Sequence, residues 1–384
     1  MRKTSSMLIA IVVLLLALGI VMLASASSVK GMASVHDPHF FLKKQLVWLF
    51  LSIVVATLVA LFDYHWWQKV AWPVGIAATV LLILVLIPHI GVEVGGSRRW
   101  LRLGPFSIQP SEMTKFCTPI VMTAWIVRAG RRIEQVKEGL IYPLAALMVV
   151  VTLMLIEPDL GTSVLTAAVG ILVLYAGGSR MNYLMVAGLV AIVLAAVAIW
   201  LLWDTHFVQH RVGRIMAFWL PERYPDKAYQ VVQSKMAFII GGPFGVGLGN
   251  SMQKQYYLPE AHTDFILAII GEEIGFVATL VILLMFMGIL ICGMTIALRA
   301  PDPYGRLVAF GMTMMIGIQS VINIGVVTGC LPTKGLPLPF ISFGGSSLMS
   351  SVASVAVLVN IALHGESQQT DDHTRMIKDK RHRV

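Results

Sequence analysis

Long apolar runs, each interrupted by a short polar or Gly/Pro-containing joint, dominate the pattern of this chain from end to end. About 20 apolar residues cross a bilayer as a helix, and on that scale about ten segments qualify. They fall near residues 7–24, 46–62, 72–89, 112–127, 140–156, 160–177, 183–203, 272–298, 305–329 and 345–363. The fourth carries Glu112 and Lys115 at its entry, and only Glu157-Pro158-Asp159 parts the fifth from the sixth, where the proline enforces a break. The fold expected is an all-α polytopic membrane protein of about ten transmembrane helices. A transmembrane unit over 1–365 contains one long structured outer loop, about 204–271, between spans seven and eight. A polar cytoplasmic tail, 366–384, follows it.

Composition sharpens this reading. Hydrophobic residues make up 57% of the 384 and charged residues 13%, about half the usual share of a soluble domain. Mean hydropathy is +0.80. The net charge of +9 comes with no basic block, so nucleic acid is not an expected partner. Cys117, Cys292 and Cys330 are scattered, which fits neither a disulfide framework nor a metal site and leaves them as packing residues. Arg2 and Lys3 ahead of the first apolar run imitate a signal peptide, but the many spans behind it favour an uncleaved helix. With long loops discounted, Lys and Arg are in excess on the side of the termini, which places both termini in the cytoplasm. Arg98, Arg99 and Arg102 run against that bias on the outer side, and an anionic ligand or headgroup anchoring would each account for them.

The candidate chemistry lies in the loops. Within 204–271, Tyr229 to Ile240 reads as an amphipathic helix with Val232, Met236, Ile239 and Ile240 at helical spacing, suited to a membrane surface. The glycine-rich run from Gly241 to Gly249 allows either a phosphate cradle or a tight turn with close packing. Asp264 then opens an apolar run that reaches Leu298, too long for one straight span, so a break is expected near Gly271 and Gly275. A carboxylate at such a membrane edge suits a general base, with its pKa raised by desolvation and lowered by arginines; a helix N-cap is the plainer alternative. Glu272 and Glu273 sit deeper, where ionisable groups usually face a cavity or a partner. A second Gly/Pro-rich loop, Leu331 to Ser347, suggests a rigid re-entrant segment whose Lys334, Ser342, Ser346 and Ser347 offer donors to an oxyanion.

These loops together resemble the SEDS family, the group of FtsW and RodA, over nearly the whole chain. The stretches that carry the resemblance are Gly96-Ser97-Arg98-Arg99-Trp100, Ile108-Gln109-Pro110-Ser111-Glu112 with Lys115, and Glu157-Pro158-Asp159-Leu160-Gly161-Thr162. Two more are Tyr257-Leu258-Pro259-Glu260-Ala261-His262-Thr263-Asp264-Phe265 and Ile341-Ser342-Phe343-Gly344-Gly345-Ser346-Ser347. Ile270-Gly271-Glu272-Glu273 and Leu331-Pro332-Thr333-Lys334-Gly335 look like the division-type FtsW branch, whereas Gly335-Leu336-Pro337-Leu338-Pro339 keeps a flavour of the elongation-type RodA. Phe343 departs from the tyrosine usual at its place.

The resemblance implies a peptidoglycan glycosyltransferase in the bacterial inner membrane, polymerising lipid II by inverting displacement of undecaprenyl diphosphate. For that chemistry Asp264 is the expected base, and Arg98, Arg99, Arg102, Lys115, Lys334, Ser342, Ser346 and Ser347 are the expected contacts of the diphosphate. Glu112, Glu157, Asp159, Glu260, His262, Thr263, Glu272 and Glu273 support them. It implies a class B penicillin-binding protein transpeptidase as partner, beside other division or elongation proteins. No cofactor is certain, and a divalent cation, Mg or Mn, bridging diphosphate and carboxylates stays open. A lipid II flippase is the rival reading, although transport predicts function at the midplane while the unusual residues cluster on one face. A non-catalytic scaffold is the other, and it predicts that Asp264→Asn is harmless.

Overall fold

The computed structural model describes residues 1–94, 97–104, 106–201, 203 and 205–381. Gly96, Asp204 at the start of the long loop, and residues 382–384 of the tail lie outside that description. The chain runs through α1 (Arg2–Val35), α2 (Phe40–Leu61), α3 (His65–Leu86), a sheet of β1 (Gly91–Val94), β2 (Ser97–Leu103) and β3 (Phe106–Ile108), then α4 (Pro110–Ala129). After these come α5 (Tyr142–Ile156), α6 (Leu160–Ala176), α7 (Met181–Leu201), α8 (His206–Trp219), α9 (Pro225–Gly241) and α10 (Ile266–Glu273). It closes with α11 (Phe276–Arg299), α12 (Pro303–Val327) and α13 (Gly345–Arg381), so the polar tail continues the last helix.

Among the described residues, eight helices are long and apolar enough to cross a membrane, and α6 is apolar but shorter. α4 adds Thr, Ser, Glu112 and Lys115 to its apolar positions. Each expected segment falls on its own helix. The enclosure of the helices differs sharply. The most apolar window of α13 is 83% buried and that of α12 is 67% buried, whereas that of α7 is 6% buried. α12 and α13 therefore form the wall of the core, with α4 packed across both, and α7 leans outward against α6.

Connections at the two ends of the bundle sort the chemistry. At the end that carries the termini, Asn360 on α13 donates to the carbonyls of Ala60 and Phe62, and its side-chain oxygen accepts from the Tyr64 amide. Asp302 caps α12 there and accepts from the Tyr64 hydroxyl. The opposite end holds the sheet, the Glu157–Asp159 turn, α8 to α10 and the α12–α13 connection.

Two features at that end were not legible in the apolar pattern. The antiparallel sheet, ordered β1-β2-β3, occupies a stretch too short and too charged for a span. Its register slips between Val92 and Glu93, which face Trp100 and Arg98. Arg99 is thus the extra residue of a bulge, a feature that bends a strand and re-aims a side chain. The long loop also holds a helix, α8, ahead of the expected amphipathic one. That expected helix is α9, but its apolar stripe points outward: Ile239 is 72% exposed, while the small residues Ala228, Ser234, Ala237 and Gly241 pack inward. The apolar run after Asp264 breaks at Gly275, whose φ of 98° lies in the left-handed region, and separates the wholly buried α10 from α11.

Candidate active site

Asp264 lies in the irregular turn just before α10 and is half-buried. The N-cap of α10 is Phe265, without a side-chain cap, so the capping alternative for Asp264 is not realised. Instead its backbone carbonyl accepts from Asn323 on α12 at 2.8 Å, and the same amide donates to Leu336 O at 2.7 Å. Asn323 thereby ties the turn carrying Asp264 to the α12–α13 connection. Gly335 of that connection passes so close that a Cβ there would stand 3.0 Å from Asp264 Oδ2. No described side chain donates to the carboxylate.

The electrostatics follow from this seat. Burial first, then the charges of Glu260 and Asp159, push the Asp264 carboxyl up to about 7, against the opposing pull of Arg99 and Arg214. Desolvation disfavours the charged form, and nearby cations favour it. A carboxylate with its pKa near neutrality is suited to take a proton at physiological pH.

Arg99 is anchored from below. Its Nε donates to Glu157 O at 2.9 Å and its Nη2 to Pro158 O at 2.6 Å, fixing the guanidinium on the turn between α5 and α6. Asp159 caps α6 through Thr162 N, and its other oxygen accepts from Gln109 Nε2 at 3.1 Å and Ser111 Oγ at 3.0 Å. The start of α4 and the start of α6 are thus locked together beneath the bulged strand. Glu157 is fully buried, and neither carboxyl oxygen has a partner among the described residues. Burial, then the charge of Asp159, push it up to about 8, with Arg99 opposing, so it is mostly the neutral acid at pH 7.

The other expected residues separate into distinct groups. Arg98 turns to Glu93 at 3.4 Å, and Arg102 is exposed. Lys115 is 1% exposed and locked between Glu112 Oε2 at 2.5 Å and Gln319 Oε1 at 2.7 Å, with Ser350 donating to Glu112. Gln319 sits one turn from Asn323 on α12, so the Lys115 network lies roughly 5 Å below the anchor of Asp264. Lys334 is half-buried without an ion-pair partner among the described residues, and burial pulls its pKa down. The serines hold backbone: Ser342 Oγ accepts from Leu338 N at 2.8 Å and Ser346 Oγ from Gln109 N at 3.0 Å. Ser347 is buried near Gln319 Nε2 at 3.5 Å.

Glu260 pairs with Lys30 at 3.2 Å and accepts from Thr263 at 3.0 Å. His262 packs at a tilt against Phe41 and Phe343, and burial pulls its pKa down to about 4, leaving a neutral ring. Glu272 accepts from Ser251 and from Met252 N, while Glu273 pairs with Lys254 at 2.8 Å and accepts from Ser25 at 2.7 Å. These two glutamates therefore staple the 249–257 segment and α1 to the end of α10. The glycine-rich run beside them is a packing turn rather than an open cradle: Val246 N and Gly247 N donate to the carbonyls of Glu272 and Glu273. Among the described residues there is no cluster of three metal-ligating side chains.

Sequence reasoning passed over Arg214 on α8, whose charge is felt by Asp264, the buried amides of Asn323 and Gln319, and the half-buried amide of Gln109. Asn323 and Gln319 carry a readable signal, being polar residues one turn apart inside an apolar span. Arg214 carries none, because it is one of six cations in the long loop and its spacing does not set it apart.

Comparison with known proteins gives consistent matches. The family model FTSW_RODA_SPOVE, described as cell cycle protein, matches residues 5–367. A protein of Trichlorobacter lovleyi called probable peptidoglycan glycosyltransferase FtsW is 43% identical over 356 residues, covering 92% of both chains. One of the same name from Geobacter sulfurreducens is 41% identical, covering 90% of this chain and 91% of its own. A chain solved in work on structural coordination of polymerization and crosslinking by a peptidoglycan synthase complex superimposes with a TM-score of 0.77 at 28% identity, covering 93% and 97%. The rod shape determining protein RodA of Thermus thermophilus gives 0.68 at 27% identity, covering 92% and 95%.

Proposed function

This chain belongs to the FTSW_RODA_SPOVE family of cell cycle proteins, and from that membership and the geometry around Asp264 we infer how it works as a peptidoglycan glycosyltransferase of the FtsW type. The observation that carries the mechanism is the open, unpartnered carboxylate of Asp264, poised near neutrality by burial within the field of Arg99 and Arg214.

The substrate that fits is lipid II, a disaccharide peptide on undecaprenyl diphosphate. Asp264 takes the proton from the acceptor sugar hydroxyl as that oxygen attacks the anomeric carbon of the donor. The bond from that carbon to the diphosphate oxygen breaks, and its electron pair leaves with the diphosphate. One displacement inverts the anomeric centre, so one base suffices and the leaving group needs no proton. Charge accumulates on the diphosphate, and a cation held rigidly where it develops stabilises the transition state. Arg99 is fixed by two carbonyls for that task, and guanidinium geometry suits paired phosphate oxygens. Lys334, half-buried on the Asp264 side, is a second candidate, whereas Arg98 and Arg102 face away toward Glu93 and solvent and suit headgroup contact. Lys115 supports the seat of Asp264 through Gln319 rather than touching the diphosphate.

The active face lies on the outer side of the bacterial inner membrane, with both termini in the cytoplasm, in keeping with the distribution of Lys and Arg. A class B penicillin-binding protein, the transpeptidase that crosslinks the new strand, is the natural partner, since the solved chain at TM-score 0.77 comes from a complex joining polymerization to crosslinking. A divalent cation, if bound, would take Asp264 as its ligand from this chain and would offset the charge that develops on the diphosphate.

The deciding measurement is polymerisation of purified lipid II by the full-length chain with its transpeptidase in detergent. Asp264→Asn should lose at least about 10²-fold in rate, the usual contribution of a general base. Equal rates in the two proteins would remove Asp264 as base. No polymer from the wild type in detergent, together with transport of lipid II in proteoliposomes, would favour the flippase.

A further inference from the structure

A cleft of about 100 Å³ opens between α8, α9 and the α12–α13 connection. Its lining carries three cations, Arg214, Lys227 and Lys235, and no carboxylate among the described residues. Glu222 and Asp226 lie next to it in sequence but do not line it. Apart from Thr333 and Gly329, the rest of the wall is apolar and includes Phe218 from α8 and Val231 from α9.

The cleft is built rather than incidental. Lys227, Val231 and Lys235 recur at every fourth residue, so one stripe of α9 presents both ammonium groups on the same side. Lys235 lies over Gly329, whose φ of 76° is a backbone conformation that L side chains rarely adopt. Ser234, next to Lys235, pins α9 to the end of α12 through Val327 O at 2.6 Å. The cleft also adjoins the catalytic turn. Arg214 at its edge acts on the charge of Asp264, and the segment that contributes Thr333 to the wall contributes Gly335 against that carboxylate two residues later.

Both substrates of the proposed polymerase carry a polyprenyl diphosphate, and chemistry sets where each must lie. The donor's diphosphate sits on the carbon under attack, beside Asp264 and Arg99. The acceptor keeps its diphosphate, and its attacking hydroxyl is on the other sugar of the disaccharide. A second anion seat is therefore required, removed from the base yet continuous with it. We propose that the cleft of Arg214, Lys227 and Lys235 binds the diphosphate of the acceptor, with the first isoprene units against Phe218 and Val231. The assignment rests on the polymerase reading for its substrate, while the existence of the seat can be tested without turnover.

Undecaprenyl diphosphate is the probe, titrated into the full-length protein in detergent with the stoichiometry read by native mass spectrometry. Wild type should take up two molecules. Lys227→Gln/Lys235→Gln should keep one, Arg99→Gln should keep the other, and Lys227→Arg/Lys235→Arg should restore two. In turnover the double Gln variant should raise KM for lipid II about tenfold, a loss of one factor of ten per 1.4 kcal/mol of missing contact, with a smaller change in kcat. Phosphatidylglycerol vesicles should not displace the second molecule. Uptake of two molecules by the double Gln variant, or displacement by phosphatidylglycerol at equal concentration, would overturn the seat. Two-site binding in a wild type that makes no polymer would instead count against the polymerase reading alone.

Discussion

At the scale of single residues, the site depends on carboxyls whose charge state is set by burial. As the proposed base, Asp264 must be ionised to accept a proton, and with its pKa near 7 the rate should rise with pH and level off above neutrality. One pH unit below that value leaves about a tenth of the base ionised, so the rate should fall to about a tenth. Arg214→Gln removes a cation that favours the ionised form, so the acid limb of the pH–rate profile should move to higher pH; an unmoved limb would separate Arg214 from Asp264 electrostatically. Glu157 behaves in the opposite sense. Buried without a partner and raised to about 8, it serves as a neutral acid, so Glu157→Gln should keep polymerisation within about threefold, the change between two neutral groups of one shape being small. Glu157→Lys places a second cation under Arg99 and should abolish it. Gly335→Ala sets a Cβ 3.0 Å from Asp264 Oδ2, which the carboxylate relieves by a shift of a few tenths of an ångström, and should lower kcat about threefold, since a misplacement of about 1 Å costs roughly 10²-fold.

At the scale of elements, buried polar links rather than apolar contact alone set how helices register against one another. Lipid is as apolar as the helix surfaces, so apolar packing alone does not fix their relative height. The Glu112–Lys115 pair, Gln319 and Ser350 bind α4, α12 and α13 below the active face. Lys115→Met leaves Glu112 buried and unpaired and should cost about 3–5 kcal/mol, read as loss of thermal stability in detergent. Adding Glu112→Leu should recover much of it, because the stranded charge is gone. The bulge in β2 acts on a smaller scale, sending Arg98 to Glu93 while Arg99 goes to the α5–α6 turn. Neighbouring arginines identical in sequence terms thereby receive different surroundings.

At the scale of the whole molecule, the face holding Asp264 also holds Cys330, the exposed cysteine, while Cys117 and Cys292 are buried. A membrane-impermeant maleimide added to intact spheroplasts should label wild type and not Cys330→Ser, and labelling only after lysis would reverse the proposed orientation. The sequence by itself determined the helical membrane fold, the position of each apolar segment, the break near Gly275 and the family, because apolar length and local breakers are properties of neighbouring residues. It also singled out Asp264, since an isolated carboxylate at an apolar edge is costly enough to be conspicuous. Tertiary structure alone decided which cations serve that carboxylate. Arg98, Arg99, Arg102, Lys115 and Arg214 carry the same charge in the sequence, yet a strand bulge, a buried ion pair and a loop helix give them different environments. Charge acts through distance and burial in three dimensions, and neither is written in the order of residues along the chain.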